Sequence, residues 1–210
     1  SAMISLYGAP AHSQLTTQKL LSNIQQALPA VSALESRFIH FADINTELDQ
    51  DELALLDKLL KYGPKAELQT EHSGQSYLVI PRIGTISPWS SKATDIALNC
   101  GLNKVKRLER GVIFTLQSSE PIDESSLLPF LHDRMTQMVV AEIEEAEMQL
   151  RQLREADIAR RKIVEQENER NQQLRLEHKE WLSKEDQRLN REAAEKADKL
   201  EADRNAAFKK

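Results

Sequence analysis

All seven prolines and all six glycines lie at or before Pro129, and the 81 residues that follow contain neither. A stretch of that length without a breaker reads as one helix or two. At 1.5 Å per residue, a single helix over residues 130–210 would reach about 120 Å. Its first turns carry an apolar seam, Val139, Ile143, Ala146, Leu150 and Leu153, with spacings of 4, 3, 4 and 3. That spacing marks a coiled coil or a helix-packing stripe. The register then fails at Asp157, Arg160, Glu167 and Asn171. Val164, Leu174 and Trp181 recover it in part, while Leu182, Leu189, Ala193 and Leu200 follow a shifted frame. Pairs at i, i+4 accumulate alongside: Glu147–Arg151, Asp157–Arg161, Glu180–Lys184, Glu192–Lys196 and Glu195–Lys199. Each contributes about 0.2–0.5 kcal/mol to a solvated helix. The expectation is a charged helix in water or half of a weak coiled coil. Self-association through residues 139–200 is favoured because an exposed Trp181-Leu182 is costly.

Charge separates this tail from the rest. Residues up to Leu150 carry 12 Lys+Arg against 19 Asp+Glu, net −7, whereas the last 60 carry 16 against 14, net +2. Neither part has the basic excess of a nucleic-acid binder. No apolar run approaches the roughly 18–20 residues of a membrane span. A single cysteine, Cys100, excludes an internal disulfide framework and a multi-cysteine zinc site. These features predict a cytoplasmic protein without nucleic-acid or membrane partners. Ser1-Ala2 before Met3 has the look of a cloning scar, which divides the chain into residues 1–3, a domain over 4–150 and a helical extension over 151–210.

The domain alternates strand-like and helix-like segments. Strands are predicted over Ile4–Tyr7, Leu34–Ile44, Tyr77–Ile80 and Val105–Gln117, the last interrupted at Gly111. Helices are predicted over Gln14–Leu28, Asp49–Tyr62, Ser91–Cys100 and from Asp123 onward. Two successive strand–helix–strand–helix units imply an α+β class: an internally duplicated domain whose sheet is covered by helices, followed by the long charged helix or coiled coil.

The richest segment is Pro81-Arg-Ile-Gly-Thr-Ile-Ser-Pro-Trp-Ser-Ser-Lys-Ala-Thr-Asp-Ile-Ala-Leu-Asn-Cys-Gly101. It joins a strand exit, a rigid turn and a helix start, with Ser90 or Ser91 as the expected N-cap. Open N–H groups there, with two hydroxyls and Lys92 nearby, can hold a phosphate or carboxylate. The plainer alternative is an ordinary capped helix after a turn.

Gly84-Thr-Ile-Ser-Pro-Trp-Ser-Ser-Lys-Ala-Thr-Asp-Ile-Ala97 closely resembles the N-terminal domain of the large single-chain phosphoribosylformylglycinamidine synthases, or formylglycinamide ribonucleotide amidotransferases. Ordered satellites support it: His40-Phe-Ala-Asp43, Leu59-Leu-Lys-Tyr-Gly-Pro64, Asn99-Cys-Gly-Leu102, Arg107-Leu-Glu-Arg-Gly111 and Leu131-His-Asp-Arg-Met135. The resemblance covers residues 4 to about 150 and stops near Gln152. It implies a domain that looks like a fused pair of the small separate subunit used by the multi-protein enzyme. It also implies a full enzyme that amidates formylglycinamide ribonucleotide with ATP and glutamine, releasing glutamate, ADP and phosphate. ATP and Mg are implied for that complete enzyme, in later domains, and no cofactor for this chain. The implied partners are the remaining synthase and glutaminase domains.

Candidate chemistry within the chain is sparse. Cys100 lacks the glycine-flanked turn that exposes a nucleophile and is expected to be a buried small apolar residue. His132-Asp133-Arg134 on a helix would point three ways, and His40 reads as a packed strand histidine. No metal ligand set is expected. This leaves Thr85, Ser87, Trp89, Ser90, Ser91 and Lys92 as contacts to substrate or to an interface, with Trp89 the docking aromatic. The resemblance implies a non-catalytic domain that shapes the substrate region and the ammonia path. The alternatives are a binding module with a helical oligomerising arm, or an engineered fusion.

Overall fold

The structure, a computed structural model, describes residues 2–62, 74–82 and 87–209. The chain divides into two units, Ser1–Asp157 and Ile158–Lys210.

In the first unit the elements run β1 (Ala2–Pro10), α1 (Gln14–Ala27), β2 (Val31–Ile44), α2 (Gln50–Leu59), β3 (Gln75–Pro81), α3 (Pro88–Asn99), β4 (Val105–Ser118), α4 (Glu124–Leu131) and β5 (Gln137–Val140), then the start of α5 (Ile143–Phe208). The five strands form one sheet in the order β1-β2-β4-β3-β5, with each neighbouring pair antiparallel. The halves β1-β2 and β4-β3 mirror one another, as a duplicated unit does when its copies pair through their second strands. The fold is thus the predicted α+β class with helices over a sheet.

Local chemistry sets the boundaries. Ser13 caps α1 by accepting from the Thr16 N–H at 3.2 Å, and Asp49 with Glu52 forms a reciprocal capping box on α2. Strand alternation then sorts the core. Phe114 and Leu116 pack with Ile24 of α1 and Leu127 of α4. On the same sheet face, Ala42 and Leu108 pack with Leu56 of α2 and Ala97 of α3. The opposite face presents Ile39, Phe41, Leu78 and Ile80 to Ala146, Leu150 and Leu153 of α5.

Three expectations change. The tail is not helical from residue 130. Asp133 folds the chain into a turn, its side chain accepting from Met135 N–H and its carbonyl from Gln137 N–H, and β5 follows. Val139 therefore belongs to a strand, paired with Val79. The remaining seam residues pack on this unit's own sheet, so that part of the stripe is an internal core contact. Third, β4 runs unbroken through Gly111, which pairs with Ile39. A Cβ at Gly111 would lie 2.9 Å from the Val79 carbonyl oxygen, so a glycine there permits close strand approach.

The second unit is helical from Ile158 to Phe208, exposed along nearly its whole length. Its ion pairs centre on Arg188, which meets Glu185 at 2.5 Å and Glu192 at 2.8 Å. Among the described residues, Glu192 pairs with Arg188 rather than with Lys196, and Glu195–Lys199 does not pair. His178 stacks on Trp181, with ring centroids 6.1 Å apart. No described helix is long and apolar enough to cross a membrane.

Candidate functional site

The helix N-terminus in the richest segment starts earlier than Ser90. Ser87 is the N-cap and Pro88 occupies the first helical position, where its fixed φ is preset and its missing N–H costs nothing. The Ser87 hydroxyl accepts from Ser90 N–H at 3.3 Å. Thr85 lies outside the described residues. Trp89 is half-buried, while Ser91 and Lys92 are exposed.

Ser90 is buried, only 2% exposed. Its hydroxyl donates to the Leu108 carbonyl oxygen at 2.5 Å and lies 3.2 Å from Glu109 Oε1. One turn on, Thr94 Oγ1 accepts from Leu108 N–H at 3.0 Å. The β3 pairing with β4 ends at Val79–Val112, so Ser90 and Thr94 satisfy the strand edge that β3 leaves. Ser90 therefore acts on β4, while among the described members of this set Ser87, Trp89, Ser91 and Lys92 reach solvent.

Trp89 enters a cluster that draws on β2, β4, α3 and the segment that follows α2. Arg110 of β4 is the cross-strand partner of His40 of β2. Its guanidinium carbon lies 4.5 Å from the Phe38 ring centroid and 4.8 Å from that of Trp89. Arg110 Nη1 donates to Tyr62 Oη at 3.3 Å. The Tyr62 oxygen is 2.7 Å from His40 Nε2. Burial, followed by the Arg110 charge, holds His40 down to about 4, so it is neutral at ordinary pH. Burial pushes Tyr62 up, which keeps its proton in place. The polarity of the chain follows: Arg110 donates to Tyr62, and Tyr62 donates to His40 Nε2. Nδ1 then carries the imidazole hydrogen and is buried with no hydrogen-bond partner among the described residues. A Cβ at Gly8 would lie 2.6 Å from His40 Cε1, so the glycine makes room for the ring.

Beside this cluster an apolar cleft of about 250 Å³ opens between α2 and α3. Leu59, Tyr62, Trp89 and Ile96 form its walls, Leu108 lines it from the sheet, and Lys92 is the one charged lining residue among the described residues. Ile96 is 45% exposed.

The opposite sheet face holds a second polar group. Arg107 meets Glu109 at 2.6 Å and Asp157 of α5 at 2.6 Å, and Arg154 pairs with Asp43. Burial pushes the Glu109 carboxyl up.

Two other candidates are placed differently from expectation. Cys100 is exposed at the C-cap of α3; Leu102, two residues on, takes the core position instead. His132-Asp133-Arg134 forms the turn after α4, and His132 Nδ1 donates to the Leu128 carbonyl at 2.7 Å. Among the described residues no group of three or more His, Cys, Asp or Glu is placed to hold a metal ion.

Sequence reasoning missed the convergence of Phe38, His40, Tyr62 and Arg110. The usable signal was parity: Arg110 shares the face of Leu108, as His40 shares that of Ala42. A comparison with protein families matches residues 37–150 to the one described as formylglycinamide ribonucleotide amidotransferase N-terminal. The matched span contains both the cluster and the cleft.

Proposed function

The chain belongs to the formylglycinamide ribonucleotide amidotransferase N-terminal family, related to a synthase of purine biosynthesis, and we propose that it is a non-catalytic docking domain of such a synthase. In this reading Trp89, Ser91 and Lys92 contact the synthase core, with Ser87 and Ser90 holding α3 in place behind them. The domain contributes walls to the substrate region and the ammonia path. ATP, Mg, the amidation step and the glutaminase cysteine belong to the other domains, and the cytoplasm is the compartment.

The observation that carries this reading is the half-buried Trp89 ring beside an apolar cleft with Lys92 in its lining, all within the matched span. Aromatic and basic residues around a desolvated pocket are the chemistry of interface anchors. The test mixes the full chain with a synthase from which the N-terminal domain has been removed. Restored ATP- and glutamine-dependent amidation in the mixture, with no turnover by the chain alone, is the expected result. Turnover by the chain alone, or no binding to the truncated synthase, overturns it.

A second reading has its own observation. Leu174, Trp181, Leu182 and Leu189 of the second unit are all exposed, which favours an oligomerising arm on a reused binding module. Light scattering after size exclusion tests it; one chain per particle at all concentrations rejects the arm.

A further inference from the structure

We infer that Arg110 is an oxyanion-binding residue, one that receives a carboxylate or phosphate group at the mouth of the α2–α3 cleft. The inference deepens the docking reading and rests on it only for one of the two possible carriers of that group.

Arg107 and Arg154 each meet a carboxylate within the first unit. Arg110, half-buried on the other face, meets none among the described residues. Instead it lies against Phe38 and Trp89, and its guanidinium donates to Tyr62 Oη. Stacking on rings fixes the plane of a guanidinium and leaves its edge as the place for a partner. That edge carries a fork of N–H donors matched to a carboxylate or phosphate.

The surroundings agree in charge. His40, the cross-strand neighbour, is neutral at ordinary pH because burial and Arg110 itself oppose its protonation. The cleft shares Tyr62 and Trp89 with the cluster and has Lys92 in its lining, with no acidic lining residue among the described residues. An anion carried on an apolar body fits both parts: the body against Leu59 and Ile96, the oxyanion toward Arg110 and Lys92. Two carriers have this chemistry, an acidic side chain beside an apolar one on the docked domain, or a small phosphate ester.

The test uses the full chain with Trp181→Phe, which leaves Trp89 as the single indole of the two in the sequence. In the first arm, inorganic phosphate and phenyl phosphate are titrated at constant ionic strength, with chloride as control and Trp89 fluorescence as readout. In the second, binding to a synthase lacking its N-terminal domain is measured. Arg110→Gln and Arg110→Lys are compared in both, with circular dichroism confirming that each is folded. Arg110→Lys keeps the charge but not the planar fork, so it is a second variant should Arg110→Gln not fold.

Saturable phenyl phosphate binding, weakened about tenfold or more in Arg110→Gln, supports the small-molecule carrier. No response to either phosphate, with synthase binding weakened by a similar factor, supports the acidic side chain. Phenyl phosphate binding without synthase binding keeps this inference and removes the docking reading. Equal behaviour of wild type and the folded variants in both arms, or no binding in either, overturns the inference.

Discussion

Arg107 Nη1 donates to Asp157 Oδ2 at 2.6 Å while its Nε meets Glu109 Oε1 at 2.6 Å, so one guanidinium ties β4 to α5 and neutralises a buried carboxylate. Glu109 is 4% exposed. Removing the arginine leaves that carboxylate without its counter-charge in a low-dielectric site. Arg107→Ala should therefore cost about 3–5 kcal/mol, the usual penalty for breaking a buried pair from one side. Arg107→Ala with Glu109→Gln should recover part of it, because the neutral amide needs no counter-charge. Urea unfolding of the three proteins checks this; a double variant no more stable than Arg107→Ala contradicts it.

The same contact sets where the first unit ends. Residues 151–157 supply Leu153, 1% exposed, as well as Arg154 and Asp157. A chain ended after Asp157 should unfold like the first unit of the full chain. One ended after Leu150 loses a buried leucine and the ion pairs Arg154–Asp43 and Arg107–Asp157. Leu153→Ala alone should cost about 2–5 kcal/mol from lost transfer energy and a residual cavity. Thermal melts followed by near-ultraviolet circular dichroism separate the two truncations. Equal midpoints would show that residues 151–157 add nothing to the stability of the first unit.

Much of the fold was legible because its signals are local. The helical spacing over Gln14–Leu28, the apolar face of Asp49–Tyr62 and the alternation of Phe38, His40 and Ala42 report elements without tertiary context. What failed depended on distant partners. Val139 fits a helical stripe by spacing, and only its pairing with Val79 makes it a strand residue. Ser90 reads as a surface hydroxyl at a helix start, yet the exposed edge of Leu108, eighteen positions on, buries it. The candidate site divides the same way. Trp89 and Lys92 are visible in the sequence, whereas the guanidinium against Phe38 and Trp89 exists only through the β2–β4 register.

Neighbouring serines in α3 should behave in opposite ways. Ser90→Ala leaves the Leu108 carbonyl without its hydroxyl donor and removes a contact to Glu109, a cost of about 1–3 kcal/mol. Ser91→Ala touches an exposed side chain and should stay within about 0.5 kcal/mol of wild type. Chemical unfolding of both variants decides it. A larger loss for Ser91→Ala than for Ser90→Ala would contradict the assignment of Ser90 to the β4 edge.

His40 makes the stability of the first unit depend on pH. Its ordinary value is 6.5, and burial followed by the Arg110 charge lowers it to about 4 in the folded protein. Between those values the unfolded chain binds the extra proton and the folded one does not. The stabilisation is therefore complete above about 6.5 and is lost as pH falls toward 4, a change of about 3 kcal/mol at 1.36 kcal/mol per unit. Glu109 acts with the opposite sign. Burial raises its folded value, so its contribution is present below the unfolded value and fades as pH rises through the folded one. The two are separated by difference: stability from pH 4 to 7 is compared between wild type and His40→Gln, which cannot titrate. Wild type should lose more stability than the variant over that window, and parallel profiles would show that His40 protonates as readily folded as unfolded. Protonation also reverses the hydrogen bond, because an imidazolium donates to Tyr62 Oη and turns the Tyr62 proton away. The Trp89 fluorescence of the Trp181→Phe chain should then shift along the same pH curve.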